Sequence, residues 1–237
     1  MSEWKAKRFW KAAAVVKESG GYMVQLDSRP IRTPAKRPLI LPSRALAQAV
    51  SAEWDAQTDL IKPDTMPVTR TANAAIDKVA VQHAEVADML AAYGDSDLLC
   101  YRADTPEELV ERQKAQWDPM LDWVFDAFGA RLVPRVGVIH APQDPAALAV
   151  LTARVHALDP FELAAFHDLV SLSGSLVLGL AAEQGTFPPE TLWLISRLDE
   201  QWQAEQWGAD DEAEAMAEIK RCAFLHACEV IKLRRSA

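Results

Sequence analysis

Four times in the second half of this chain a helix-capping side chain stands directly before a proline: Thr105-Pro106, Asp118-Pro119, Asp144-Pro145 and Asp159-Pro160. A Thr or Asp oxygen can accept from the first free backbone N–H groups of a helix, and a proline in the first turn has no N–H to leave unsatisfied. Thr105-Pro106-Glu107-Glu108 adds the glutamate of a capping box. These signals predict helices at 106–117, 119–128, 145–157 and 160–172. Apolar periodicity extends the set to 43–57 with Ser43 as N-cap, 68–79, 82–93, 174–184, 189–207 and 209–233. The last of these opens on Asp210, Asp211 and Glu212 and closes on Lys232, Arg234 and Arg235, which suits the helix dipole at both ends.

Before residue 42 the period is two, not three and a half. Ala12–Lys17 and Tyr22–Leu26 flank Ser19-Gly20-Gly21, a hairpin connection, and Ser28-Arg29-Pro30 is a second turn. Ile31–Thr33 and Leu39–Leu41 are strand fragments broken by Pro34 and Pro38. Val133–His140 reads as a short strand or an extended linker. The expected fold class is therefore α+β: a small N-terminal antiparallel β domain followed by a larger all-helical C-terminal domain. The expected division is 1–67, which includes the connecting helix, and 68–237.

Charge is unevenly spread. Residues 1–44 carry ten Lys and Arg against three acids, a net of +7 in a chain whose total is −9. Between Asp199 and Glu218 there are eight acids and no Lys or Arg. A net negative chain is a poor match for nucleic acid or an anionic membrane. The longest apolar stretch, around Leu169–Ala182, is too short to span a bilayer and holds three serines, best read as caps at a helix junction. The basic start, with Trp4, Trp10 and Glu3, lacks the apolar run of a signal peptide. The expectation is a soluble cytoplasmic protein.

No phosphate-binding glycine loop, dinucleotide fingerprint, zinc-protease helix, Cys-x-x-Cys pair or nucleophile elbow occurs. Cys222, His226 and Cys228 come nearest to a metal site. Cys228 falls on another side of the helix, and Phe224, Leu225 and Val230 beside them favour small buried hydrophobes over zinc ligands. The expectation is no catalytic residue, no cofactor and no metal.

Eight tryptophans remain to be explained. In the 189–207 segment, helical periodicity puts Leu194, Ile195, Leu198, Trp202 and Glu205 on one stripe. It puts Trp193, Ser196, Glu200, Gln203 and Trp207 on the opposite one. Two tryptophans either side of a central Glu, on a face that should be polar, mark either helix cover or a binding surface. Glu205 on the apolar stripe must reach solvent or find a partner.

Four segments carry a resemblance. Glu53-Trp54-Asp55-Ala56-Gln57 comes first. Asp97-Leu98-Leu99-Cys100-Tyr101-Arg102-Ala103 follows, with Pro106, Leu109-Val110 and Gln113. Trp117-Asp118-Pro119 through Asp122-Trp123 is the third, and Ser196-Arg197-Leu198-Asp199-Glu200 with Gln203, Trp207 and Gly208 the fourth. In this order, from about Lys7 to Cys228, the chain resembles the assembly chaperones of the ATP synthase F₁ sector that escort the α subunit. The resemblance implies an ATP-independent holdase that covers a subunit interface of unassembled α and yields it to the hexamer. It implies no enzyme, no membrane insertion and a free monomer. The lack of a long Arg/Ser-rich extension suggests a bacterial, cytoplasmic member. Carried over by position, the partner-binding residues are Glu200 first, then Asp199 and Glu205; Trp193, Trp207 and Trp54 are the expected aromatic anchors beside them. A carboxylate-based enzyme and a passive scaffold subunit are the alternative readings.

Overall fold

The computed structural model describes residues 7–236; Trp4 and the rest of the first six residues lie outside it. The chain forms two compact units, residues 7–83 with 160–165 and 229–236, and residues 84–159 with 166–228.

The first unit is built on a β hairpin. Strands β1 (Ala13–Glu18) and β2 (Gly21–Leu26) pair antiparallel with Val15 opposite Val24. Strands β3 (Arg29–Pro30) and β4 (Ile40–Leu41) both pair with the other edge of β2. A Cβ on Gly21 would come 2.3 Å from the Leu41 carbonyl oxygen, so the close approach of β4 requires glycine there. The turn after β2 is one residue earlier than the sequence suggests. Asp27 takes the left-handed conformation, and its carboxylate accepts from the Lys11 and Ala12 N–H groups, so Arg29-Pro30 pairs as strand.

Val24, Leu26, Leu39 and Leu41 are buried together with the Leu46, Ala47 and Val50 stripe of helix α1 (Arg44–Asp55). Ser43 caps α1 as expected: its hydroxyl accepts from Leu46 N–H and donates to the Leu233 carbonyl. Helix α2 (Pro67–Ala74) passes into a π turn at Ala75–Val79. Its N-terminus is held by Glu53, whose two oxygens accept from Val68 N–H and from both the N–H and the hydroxyl of Thr69. Gln57 ties the same corner by donating to the Glu53 carbonyl and Thr65 hydroxyl and accepting from Lys62 N–H.

The second unit is helical. Helix α3 (His83–Ala91) leads through 3₁₀ turns to β5 (Tyr101–Arg102). Helix α4 runs unbroken over Glu107–Phe128, with Pro119 inside it, where two helices were expected. A proline removes only one ladder bond, and buried Trp117, Met120, Leu121 and Val124 keep the two halves on one core stripe. The carboxylate of Asp118 pairs with Arg102 at 2.8 Å instead of capping a new helix. Beyond α4, β6 (Arg135–Val136) pairs parallel with β5, and α5 spans Pro145–His156.

Helices α6 (Pro160–Ser173) and α7 (Leu176–Gln184) meet at Gly174, where Ser175 accepts from Leu178 N–H, the junction capping read from the sequence. Every residue from Leu176 to Glu183 is buried, which makes α7 the central rod of this unit. Its first turn is satisfied by Asp97, fully buried, which accepts from Leu99 N–H through one oxygen and Val177 N–H through the other. Desolvation raises the Asp97 carboxyl from the ordinary 3.8 to about 6, although the N–H donors work in the opposite direction. The same burial, reinforced by the Asp97 charge, pushes the Cys100 thiol up to about 12, so it is an inert core residue.

Helices α8 (Pro189–Ser196), α9 (Leu198–Trp207) and α10 (Asp211–Arg235) complete the chain.

Candidate functional site

The 189–207 segment is two helices, not one. At Arg197 the backbone leaves helical geometry (φ −108°, ψ 16°), and α9 starts afresh at Leu198. The Ser196 hydroxyl donates to the Trp193 carbonyl at 2.7 Å, drawing a backbone acceptor out of the ladder at the break. Periodicity carried across this point assigns the wrong faces to α8. Trp193, expected opposite the core stripe, is only 4% exposed and packs its ring 5.8 Å from that of Phe224. Ser196 is buried beside it, and Leu194, expected in the core, is 53% exposed. Trp193 thus supports the surface from beneath instead of forming it.

On α9 the expected polar face is present. Glu200 is exposed and pairs with Arg197 three residues earlier at 2.6 Å. The Arg197 guanidinium also lies 5.8 Å from the centre of the Trp193 ring, so it joins the buried aromatic to the exposed carboxylate. Asp199 is held more firmly. It accepts at 2.7 Å from the amide of Gln113 on α4, and buried Gln113 accepts in turn from Ala103 N–H.

Glu205 takes both nitrogens of Arg112 in a two-pronged pair at 2.6 and 2.8 Å. That bond holds the Glu205 carboxyl below its usual range, and the Arg112 guanidinium also lies 5.9 Å from the Trp202 ring. The carboxylate that looked anomalous on an apolar stripe is an exposed, paired group. Trp207, at the end of α9, is 80% exposed.

Gly208, in left-handed backbone, turns the chain toward α10. Asp210 accepts from Ala213 N–H, and Asp211, Glu212 and Glu214 lie in the first turn, where the helix dipole favours them. Glu218 is bound by Arg221 and accepts from Cys222, which lowers its carboxyl to about 2. Met216 and Ile219 project into solvent from the same acidic stretch. Cys222, expected to be a buried small hydrophobe, is exposed. Among the described residues no cluster of three His, Cys, Asp or Glu could hold a metal ion.

The site therefore comprises α8, α9 and the first half of α10, with Asp199, Glu200 and Glu205 fixed by Gln113, Arg197 and Arg112. Leu194, Trp207, Met216 and Ile219 supply exposed apolar surface. Helical periodicity carried back from buried Phe224, Ala227 and Val230 puts Met216 and Ile219 on or beside the core side, so it would have missed their exposure, and no sequence signal identifies Leu194 without knowledge of the break. Trp54 belongs to the other unit, half-buried, with its ring 5.4 Å from that of Trp10.

The chain thus joins a small antiparallel sheet to a helical unit that presents a carboxylate-rich surface on α8, α9 and α10. Residues 7–125 match the family model described as ATP12 chaperone protein, and the chain belongs to that family. This makes it an assembly chaperone of the ATP synthase, not an enzyme. It is 51% identical to the Atp12 of Paracoccus denitrificans, whose crystal structure superposes with a TM-score of 0.96 over 98% of this chain and 100% of that one. A crystallised protein of Agrobacterium tumefaciens is 43% identical, with a TM-score of 0.90 over 95% and 84% of the respective chains. The mitochondrial protein atp12 of Schizosaccharomyces pombe is 26% identical over 219 residues, covering 87% of this chain and 75% of its own. No helix among the described residues is long and apolar enough to cross a membrane.

Proposed function

We propose that this chaperone binds the unassembled α subunit of the F₁ sector through the acidic surface of α8, α9 and α10, and does so without ATP in the cytoplasm. An α subunit outside its hexamer exposes apolar surface meant for its neighbours, and exposed patches of that kind aggregate. The observation that carries this reading is Trp207, 80% exposed at the end of a helix whose carboxylates are held in place by Gln113, Arg197 and Arg112. Carboxylates fixed along the same helix as an exposed aromatic suit an interface anchor. The acids give the surface its sign: they steer a basic partner inward and yield when the true neighbour competes.

Glu200 and Trp207 are the primary contacts in this account. Asp199 and Glu205 contribute charge from fixed positions, Trp193 supports the surface from below, and Trp54 acts in the other unit. The protein is a monomer when free. The test is capture: immobilised protein is exposed to purified α and, separately, to the β subunit. Retention of α without β is the expected result. Equal retention of both, or of neither, would overturn the assignment of the client.

A further inference from the structure

A second surface of the helical unit has the opposite chemistry. The segment from Val133 to Gln143 is a closed loop, fastened at its neck by the buried Gln143 side chain, which accepts from Val133 N–H and donates to the Val133 carbonyl. Gln143 N–H donates to Asp95, and the same aspartate faces His140, whose other ring nitrogen lies 3.1 Å from the Tyr101 hydroxyl. Gly137 N–H donates to the Arg102 carbonyl, which continues the contact of β5 with β6. Compact loops closed in this way hold one conformation and often carry function.

What this loop holds out is apolar. Val136 is 70%, Val138 90% and Ile139 85% exposed. Among the described residues β6 has a strand on one side only. From Ala127 to Gln143 there is no acid, whereas Arg131, Arg135 and His140 fall within the stretch. A strand edge with no acid of its own, two arginines and an apolar tip stands out in a unit otherwise rich in carboxylates, although its His140 already faces Asp95.

We infer that this loop is a second docking point for the client, receiving an extended apolar segment flanked by acidic side chains along the free edge of β6. Backbone pairing at a strand edge supplies affinity, and the Val138 and Ile139 side chains supply an apolar knob. Arg131, exposed over the Phe125 ring, supplies the charge that selects carboxylate-flanked segments and rejects basic ones, while Arg135 is held by its bond to the Pro142 carbonyl and adds only its field. Two weak contacts of opposite sign on one rigid unit give tight, oriented capture that is released stepwise. The inference rests on the proposed α-subunit client.

The test compares full-length wild type with Ile139→Glu and Ile139→Ser in binding of labelled, freshly diluted α, alongside thermal melts of each chaperone. Both substitutions lie at an exposed tip, so the melts are expected to coincide. Loss of the buried isoleucine on binding should weaken affinity about tenfold or more, with the glutamate worse than the serine. A photo-crosslinker at position 138 should attach to α within an apolar segment bordered by acids. Unchanged affinity of both variants while wild type binds α would overturn the second docking point and leave the proposed function standing. Crosslinks between two copies of the chaperone would overturn it as well, by making the loop a self-interface. Failure of the wild type to bind α would overturn the proposed function itself and this inference with it.

Discussion

Replacing Asp97 by asparagine should change the pH dependence of folding in a defined direction. Asp97 is fully buried with its carboxyl raised to about 6, against 3.8 when unfolded. Below about pH 4 both states hold the proton. Between there and pH 6 the native state keeps a proton that the unfolded chain releases, so the contribution to stability declines as pH rises and levels off above 6. The interval corresponds to about 3 kcal/mol. Asparagine cannot ionise and shows no such decline. It keeps one oxygen for Leu99 or Val177 N–H and turns an amide toward the other, a roughly pH-independent penalty of about 1–3 kcal/mol. Urea unfolding at pH 4, 5, 6 and 7 should therefore show Asp97→Asn gaining about 3 kcal/mol on the wild type across that range. Parallel profiles would refute the reasoning. So would a wild type that gains on the variant as pH rises, because that would mean the N–H donors outweigh burial.

Trp193→Ala should lower stability by about 3–5 kcal/mol, the range for emptying a buried aromatic site, read as a lower melting temperature by circular dichroism; an unchanged melt would return Trp193 to the surface. Glu53→Gln should cost about 1–3 kcal/mol by removing a charged acceptor for three donors at the start of α2. Its signature is faster amide exchange confined to the first turn of α2, and exchange unchanged there would show that the cap is dispensable.

Much of the architecture was legible because local chemistry and global fold agree in it. Ser43, Asp144 and Ser175 cap helices where their spacing says they should. The hairpin register follows from Gly20-Gly21 and the alternation on either side. Pro119 misled because an Asp-Pro pair is a start signal only when no helix already runs through it, and the packing of Trp117 against α8, with its indole N–H on the Ile195 carbonyl, keeps α4 whole.

The site was half legible. Glu200 and Trp207 stand at the surface, as their period within α9 implies, whereas Glu205 is exposed despite its place on the apolar stripe because Arg112 pairs with it there. Trp193 is not at the surface, because a periodicity argument assumes one continuous helix and the break at Arg197 resets the phase. The partners that fix the carboxylates, Gln113 and Arg112, lie more than eighty residues away in sequence, and no local pattern reports such a pairing.

The most direct measurement of the central claim is protection of α by a charge-reversed chaperone. Glu200 is exposed, and its pair with Arg197 is a surface ion pair worth about 0–1 kcal/mol. Glu200→Lys should therefore melt close to the wild type. At the interface the same change removes an attraction and adds a repulsion, where losing one member of a desolvated pair costs about 2–5 kcal/mol. Light scattering of unfolded α diluted into buffer should stay low with wild type and rise with Glu200→Lys as if no chaperone were present. A variant that melts normally and still suppresses the scattering would contradict the account and remove the acidic face of α9 from client binding.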